Sequence, residues 1–164
     1  MSFIRVFIST FLILGFSFKI MSQFSTNDSR VSKTNLPVCF LIGEYEQAYD
    51  GLLEQYSKSL VSVCNDNNEK AFDLWSGVLY DIAEYGKNSD FDLNGLKIWI
   101  NVFFNSTGNI DHIVYYPKPN SKNMDFNKLT SFFTSFCNSY KMKVILKEKC
   151  LLNATASFPL YIKK

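Results

Sequence analysis

What most constrains this chain is a change in the spacing of its apolar residues. Between positions 45 and 83 they recur every third or fourth residue, and between 96 and 116 every second. The first spacing gathers apolar side chains on one face of a helix; the second turns them alternately to the two sides of a strand. One helical stripe runs from Tyr45 through Tyr49, Leu52, Tyr56 and Leu60 to Cys64, and a second from Ala71 through Trp75, Val78 and Ile82 to Ala83. Asn65-Asp66-Asn67-Asn68 breaks the first helix and supplies cap residues for the second. Gly86 reads as the C-cap of the second. Two helices joined so briefly predict a helical hairpin.

The strand-like stretch predicts a β-hairpin. Leu96, Ile98, Ile100, Val102 and Phe104 alternate with Lys97, Trp99, Asn101 and Phe103, and Ile110, His112, Val114 and Tyr116 follow the turn Asn105-Ser106-Thr107-Gly108. A third helix is expected from an N-cap at Asp125, with Phe126, Leu129, Phe133, Phe136 and Tyr140 on its stripe. Residues 141–149 fit either a short strand or a loop. Ala154, Ala156, Phe158, Leu160 and Ile162 then alternate as a closing strand, which Pro159 restricts to an edge. The expectation is an α+β fold: an N-terminal helical hairpin, then a small antiparallel sheet in the order strand, strand, helix, strand, with helices packed on it. Ile98, Ile100 and Val102 oppose Trp99 and Phe103 across the hairpin, so both sides of the sheet need cover.

Residues 1–23 have the layout of a secretory signal peptide: Arg5, an apolar run over residues 6–16, then Lys19 and the small or polar Ser22, Gln23 and Ser25. The run is shorter than the roughly 20 residues of a membrane span. An uncleaved signal anchor is the alternative, and only that would bring the chain to a membrane. Residues 24–36 read as a polar, disordered linker and 37–164 as one α+β domain. The expected address is periplasmic or secreted. A net charge of +2 on scattered Lys and Arg excludes nucleic acid as a partner class.

Export permits disulfides among the four cysteines. Cys39 and Cys64 are expected at opposite ends of one helix, about 30 Å apart at ~1.5 Å per residue, whereas a bridge spans only about 4.4–6.8 Å between Cα atoms. Cys137 ends a helix and Cys150 follows a loop, so this pair could close. The favoured expectation is that Cys64 and Cys137 are buried small hydrophobes, since both fall on apolar helix stripes. Sequons at Asn27, Asn105 and Asn153 matter only in a eukaryotic secretory pathway.

Little in the sequence carries chemistry. His112 is the only histidine and its neighbour Asp111 points to the other side of a strand. The pairs Glu44/Glu46, Asp81/Glu84 and Asp90/Asp92 read as solvated charge, and the dispersed glycines draw no phosphate loop. No catalytic, cofactor-binding or metal-binding residue is assigned, and the protein is not expected to be an enzyme. Trp99, Tyr115, Tyr116 and Tyr161 could stack bases or sugars if exposed together; the alternative is burial beneath the N-terminal helices.

From about Leu93 onward, the hairpin over 97–116 with its Gly108 turn, the aromatic helix from Asp125 and the closing Ser157-Phe158-Pro159-Leu160-Tyr161-Ile162 before Lys163 and Lys164 resemble the C-terminal domain of TonB-type energy transducers. The whole chain also resembles exported bacterial proteins carrying a Lys118-Pro119-Asn120-Ser121 turn. With four prolines in all, the chain offers no long Pro-rich spanner. The resemblance therefore implies an edge strand that accepts an extended peptide from an envelope partner, with Ala154, Ala156, Phe158 and Leu160 as its residues. The leading expectation is a non-enzymatic exported binding module. A small-ligand carrier with an aromatic-lined cavity, or an enzyme with an unrecognised site, are the alternatives.

Overall fold

The structure is a computed structural model that describes residues 36–161. The export segment, nearly all of the linker and Ile162 lie outside the described residues. The described chain is a mixed α/β fold with the order β1 (Cys39–Leu41), α1 (Glu46–Gln55), α2 (Leu60–Val63), α3 (Asn68–Asn88), β2 (Lys97–Phe104), β3 (Ile110–Pro117), α4 (Phe126–Ser139) and β4 (Cys150–Ser157). The four strands form one sheet in the order β1-β3-β2-β4.

β2 runs antiparallel to both β3 and β4, but β1 joins β3 in parallel, so the sheet is mixed where an antiparallel one was expected. β1 escaped the sequence reading because three residues cannot display a period. The β2–β3 turn is held by Asn105, whose Oδ1 accepts from the backbone N of Thr107 at 3.0 Å and of Asn109 at 3.1 Å. Gly108 is required there twice over. Its φ is +86°, and a Cβ would fall 2.5 Å from the Val144 carbonyl oxygen, because irregular segment 141–149 lies against the turn.

The two sides of the sheet are covered separately. On the first, Ile98, Ile100 and Val102 of β2 and Tyr115 of β3 lie in one core with Val78 and Ile82 of α3 and Leu129 and Phe133 of α4. On the second, Phe40, Phe103 and Val114 pack with Leu52 from α1 and with Tyr56, its C-cap.

The first helical stripe is divided between these sides, and this corrects the expected hairpin. α1 ends at Gln55. Residues 57–59 then pass along the outer side of β4, where the Leu151 amide donates to the Lys58 carbonyl at 2.8 Å and Ser59 bridges Leu151. Ser59 caps α2, its Oγ accepting from Ser62 N at 3.1 Å. Leu52 and Tyr56 thus serve the second side, while Leu60 and Cys64 serve the first. α1 and α3 lie on opposite sides of the sheet. The apolar spacing ran unbroken through Tyr56 because two different surfaces both called for apolar residues.

α3 starts at an Asn67 cap, whose Oδ1 accepts from Lys70 N at 2.9 Å, and continues past Gly86. Gly86 is therefore not a C-cap. A Cβ on it would meet Leu93 Cδ1 at 2.9 Å and the Phe91 carbonyl oxygen at 3.1 Å, so its bare surface admits the loop that folds back over the helix. Asp125 caps α4 as expected, accepting from Asn127 N at 2.9 Å. β4 begins at Cys150 and stops at Ser157, so Phe158 and Leu160 fall beyond it.

Candidate functional site: an open sheet edge and aromatic patch

α1 covers only the Phe103 end of the second side. Toward the other end, Trp99 lies in register between Tyr116 and Thr155, and Asn101 between Val114 and Asn153. Trp99 is 41% exposed and Tyr116 50%. Their rings are 6.4 Å apart and tilted by 31°, and Lys118 Nζ stands 5.3 Å over the Trp99 ring. The ammonium holds the indole through its electron-rich face. Asn101 sits beneath, 4% exposed; its Nδ2 donates to the Tyr49 hydroxyl at 2.6 Å, and its Oδ1 is buried with no partner among the described residues. A buried amide oxygen left unpaired costs about 1–3 kcal/mol.

β4 adds a second element to this region. In an antiparallel ladder, alternate residues turn both main-chain groups toward the partner strand. The Leu151 amide points away from β2 to Lys58, whereas the Phe158 amide donates to the Leu96 carbonyl at 2.8 Å. Asn153, Thr155 and Ser157 share Leu151's phase and turn their N–H and C=O groups outward. Among the described residues no strand pairs with them. Their exposed side chains stand on the same side of the sheet as Trp99.

The residues first assigned to this edge have a different part. Ala156 and Phe158 are buried in the core of the first side, and Ala154 and Leu160 are partly buried against it. They hold the strand in place, and the intervening residues face outward. The signal for Asn153, Thr155 and Ser157 was the alternation itself, read for its polar phase. Of the four aromatics considered for stacking, Trp99 and Tyr116 come together. Tyr115 is buried, its hydroxyl donating to the Phe126 carbonyl at 3.2 Å and lying 2.8 Å from Thr130 Oγ1; burial raises it to about 12. Tyr161 is exposed beyond the strand.

The titratable groups are spread over the fold. His112 Nδ1 lies 2.9 Å from the Pro37 carbonyl oxygen, so that nitrogen carries the hydrogen, and the ring meets Phe103 edge-on. Asp111 accepts instead from the Tyr56 hydroxyl and from Asn105 Nδ2. Asp81 and Glu84 share a surface groove of about 280 Å³ with Tyr140 and Lys143. Burial raises the Asp81 carboxyl, Lys143 opposes the shift and Glu84 adds to it. A groove of about 470 Å³ is lined by Tyr85, Phe91, Phe132 and Ser135 from α3, α4 and the loop after α3.

The four cysteines are buried, and in this structure their thiols are unlinked. Cys137 lies on α4, which packs on β1 and β3, and Cys150 opens β4 at the opposite edge of the sheet. Among the described residues no three His, Cys, Asp or Glu side chains are grouped to hold a metal ion, and no helix is long and apolar enough to cross a membrane. Comparison with protein-family models, curated proteins and solved structures finds no match to this chain.

Proposed function

We propose that this protein is a non-enzymatic exported binding module that takes an extended segment of an envelope protein or peptide as an added strand on β4. The observation behind this is the outward-turned main chain of Asn153, Thr155 and Ser157, unpaired among the described residues, beside the Trp99–Tyr116 patch. Main-chain hydrogen bonds would supply affinity regardless of sequence, and alternate side chains of the guest would meet the aromatic patch and supply selectivity. The order β2-β3-α4-β4 keeps the strand, strand, helix, strand sequence on which the resemblance to TonB-type domains rests. The signal-like residues 1–23 support a periplasmic or secreted address.

The alternation along β4 selects the test. The Thr155 amide points outward, so Thr155→Pro removes a donor to the guest and leaves the β2 ladder intact. Ala156→Pro would break the protein's own ladder and cannot report on binding. The envelope partner retained by the wild-type protein is isolated, and its bound segment mapped and synthesised as a peptide. Thr155→Pro is expected to weaken that peptide by roughly tenfold or more, about 1.4 kcal/mol, with an unchanged melting temperature. Undiminished binding by this variant rules out strand addition.

A carrier reading has one observation of its own. Phe91 and Phe132 stack at 4.4 Å and 17° in the groove beside α3 and α4. Quenching of nearby Tyr85 by an apolar ligand, abolished in Phe132→Ser, would favour it.

A further inference from the structure

We propose that the four cysteines form two disulfides, Cys39–Cys137 and Cys64–Cys150, each tying one edge strand of the sheet to the helix packed on it. All four side chains belong to the core of the first side and are nearly sealed, at 2%, 2%, 5% and 0% exposure for Cys39, Cys64, Cys137 and Cys150. Cys39 lies on β1, one edge of the sheet, and α4, which carries Cys137, packs on β1 and β3. Cys150 opens β4, the other edge, and α2 packs on β4 with Cys64 as its C-cap. The Ser59–Leu151 bridge fixes α2 one residue from Cys150.

The other pairings must cross the sheet. β1 and β4 are separated by three strand intervals of ~4.8 Å, about 14 Å, against about 4.4–6.8 Å for a bridge. That distance stands against Cys39–Cys150, and against Cys137–Cys150 because Cys137 keeps to the β1 side. The electrostatics follow the same division. Burial raises the Cys39 thiol and Cys137 adds to it; burial raises Cys150 to about 12 and Cys64 adds to it.

Each bridge forms by exchange with the disulfide of an oxidant, in the cell an exported thiol oxidoreductase. One cysteine thiolate attacks the oxidant's S–S bond and releases one thiol. The second cysteine, as thiolate, attacks the mixed disulfide and releases the other. Two protein thiols are oxidised, two oxidant thiols are formed, and the protons pass to water or to the departing thiolates. Buried thiols with raised pKa react slowly, so closure belongs to folding, before α2 and α4 dock. In the cell this rests on the export reading, since a reducing compartment would hold the thiols open.

The experiment separates the two readings. Reduced, unfolded protein is refolded in a glutathione redox buffer, and its peptides are mapped by mass spectrometry without reduction. The expected result is the Cys39 peptide linked to that of Cys137 and the Cys64 peptide linked to that of Cys150. Reductant should lower the melting temperature by roughly 10 °C or more. Four free thiols, glutathione adducts alone, or a Cys137–Cys150 link overturns the pairing. Refolded protein with both links, beside free thiols in protein recovered from its producing cell, upholds the pairing and sinks the export reading instead.

Discussion

The two sides of the sheet are made by the same strands and differ in what lies over them. The first is sealed by helices of 21 and 14 residues with the short α2 beside them, and its β2 residues Ile98, Ile100, Val102 and Phe104 are 0–1% exposed. The second carries one helix of 10 residues over Phe103 and Val114, and leaves Trp99 and Tyr116 half open. One well-covered side is enough to hold the strands in register, since register is set wherever one face is buried. The other side is then free to present aromatic and main-chain groups to something else.

The broadest test of this contrast is alkaline unfolding. Burial on the sealed side raises Tyr115 from 10.0 to about 12, and Cys137 and Cys150 from 9.0 to about 12. In the unfolded chain these groups titrate at their ordinary values, so as pH rises the unfolded state sheds protons first. Their stabilising effect is whole below pH 9 and is lost between about pH 9 and 12. With the thiols reduced, urea midpoints should fall steeply across that window. With both disulfides closed, only Tyr115 remains of the three, and the fall should begin nearer pH 10. Midpoints that stay flat to pH 12 would break the contrast.

A paired truncation sharpens it. Phe133→Ala, on the sealed side, should cost about 3–5 kcal/mol. Leu52→Ala, beneath α1, should cost about 2–3 kcal/mol, because the smaller cluster around it can collapse. Chemical denaturation measures both, and equal losses would mean that the second side bears as much of the fold as the first. The smallest stability effect is expected at the open patch. Trp99→Ala should shift unfolding by no more than roughly 0.5 kcal/mol while weakening the guest peptide, as fluorescence anisotropy would show.

The sequence made the middle of this molecule legible and blurred its edges. β2, β3 and α4 were visible because each is long, has one period and begins or ends at a marked residue, such as Gly108 or Asp125. β1 has three residues and sits among irregular chain, so no period could form. The stripe through Tyr56 and Leu60 looked like one helix because apolar spacing records that a side chain is buried, not which surface buries it. β4 was placed too late because its first residues follow the lysine-rich segment 141–149. The open patch was half visible. Trp99 and Tyr116 stood out by type, but that they would be neighbours left uncovered depended on how little of the sheet α1 spans.

The passage of residues 57–59 along β4 has a consequence for what this edge can admit. Ser59 occupies the ladder position opposite Leu151, with the Lys58 carbonyl accepting from the Leu151 amide, and beyond Ser157 the strand gives way to Pro159, which has no N–H to offer. Among the described residues the vacant rail is thus stopped at both ends and runs only over 153–157. It has space for a single short guest seated in one frame, and no continuous template along which copies of the protein could zip together.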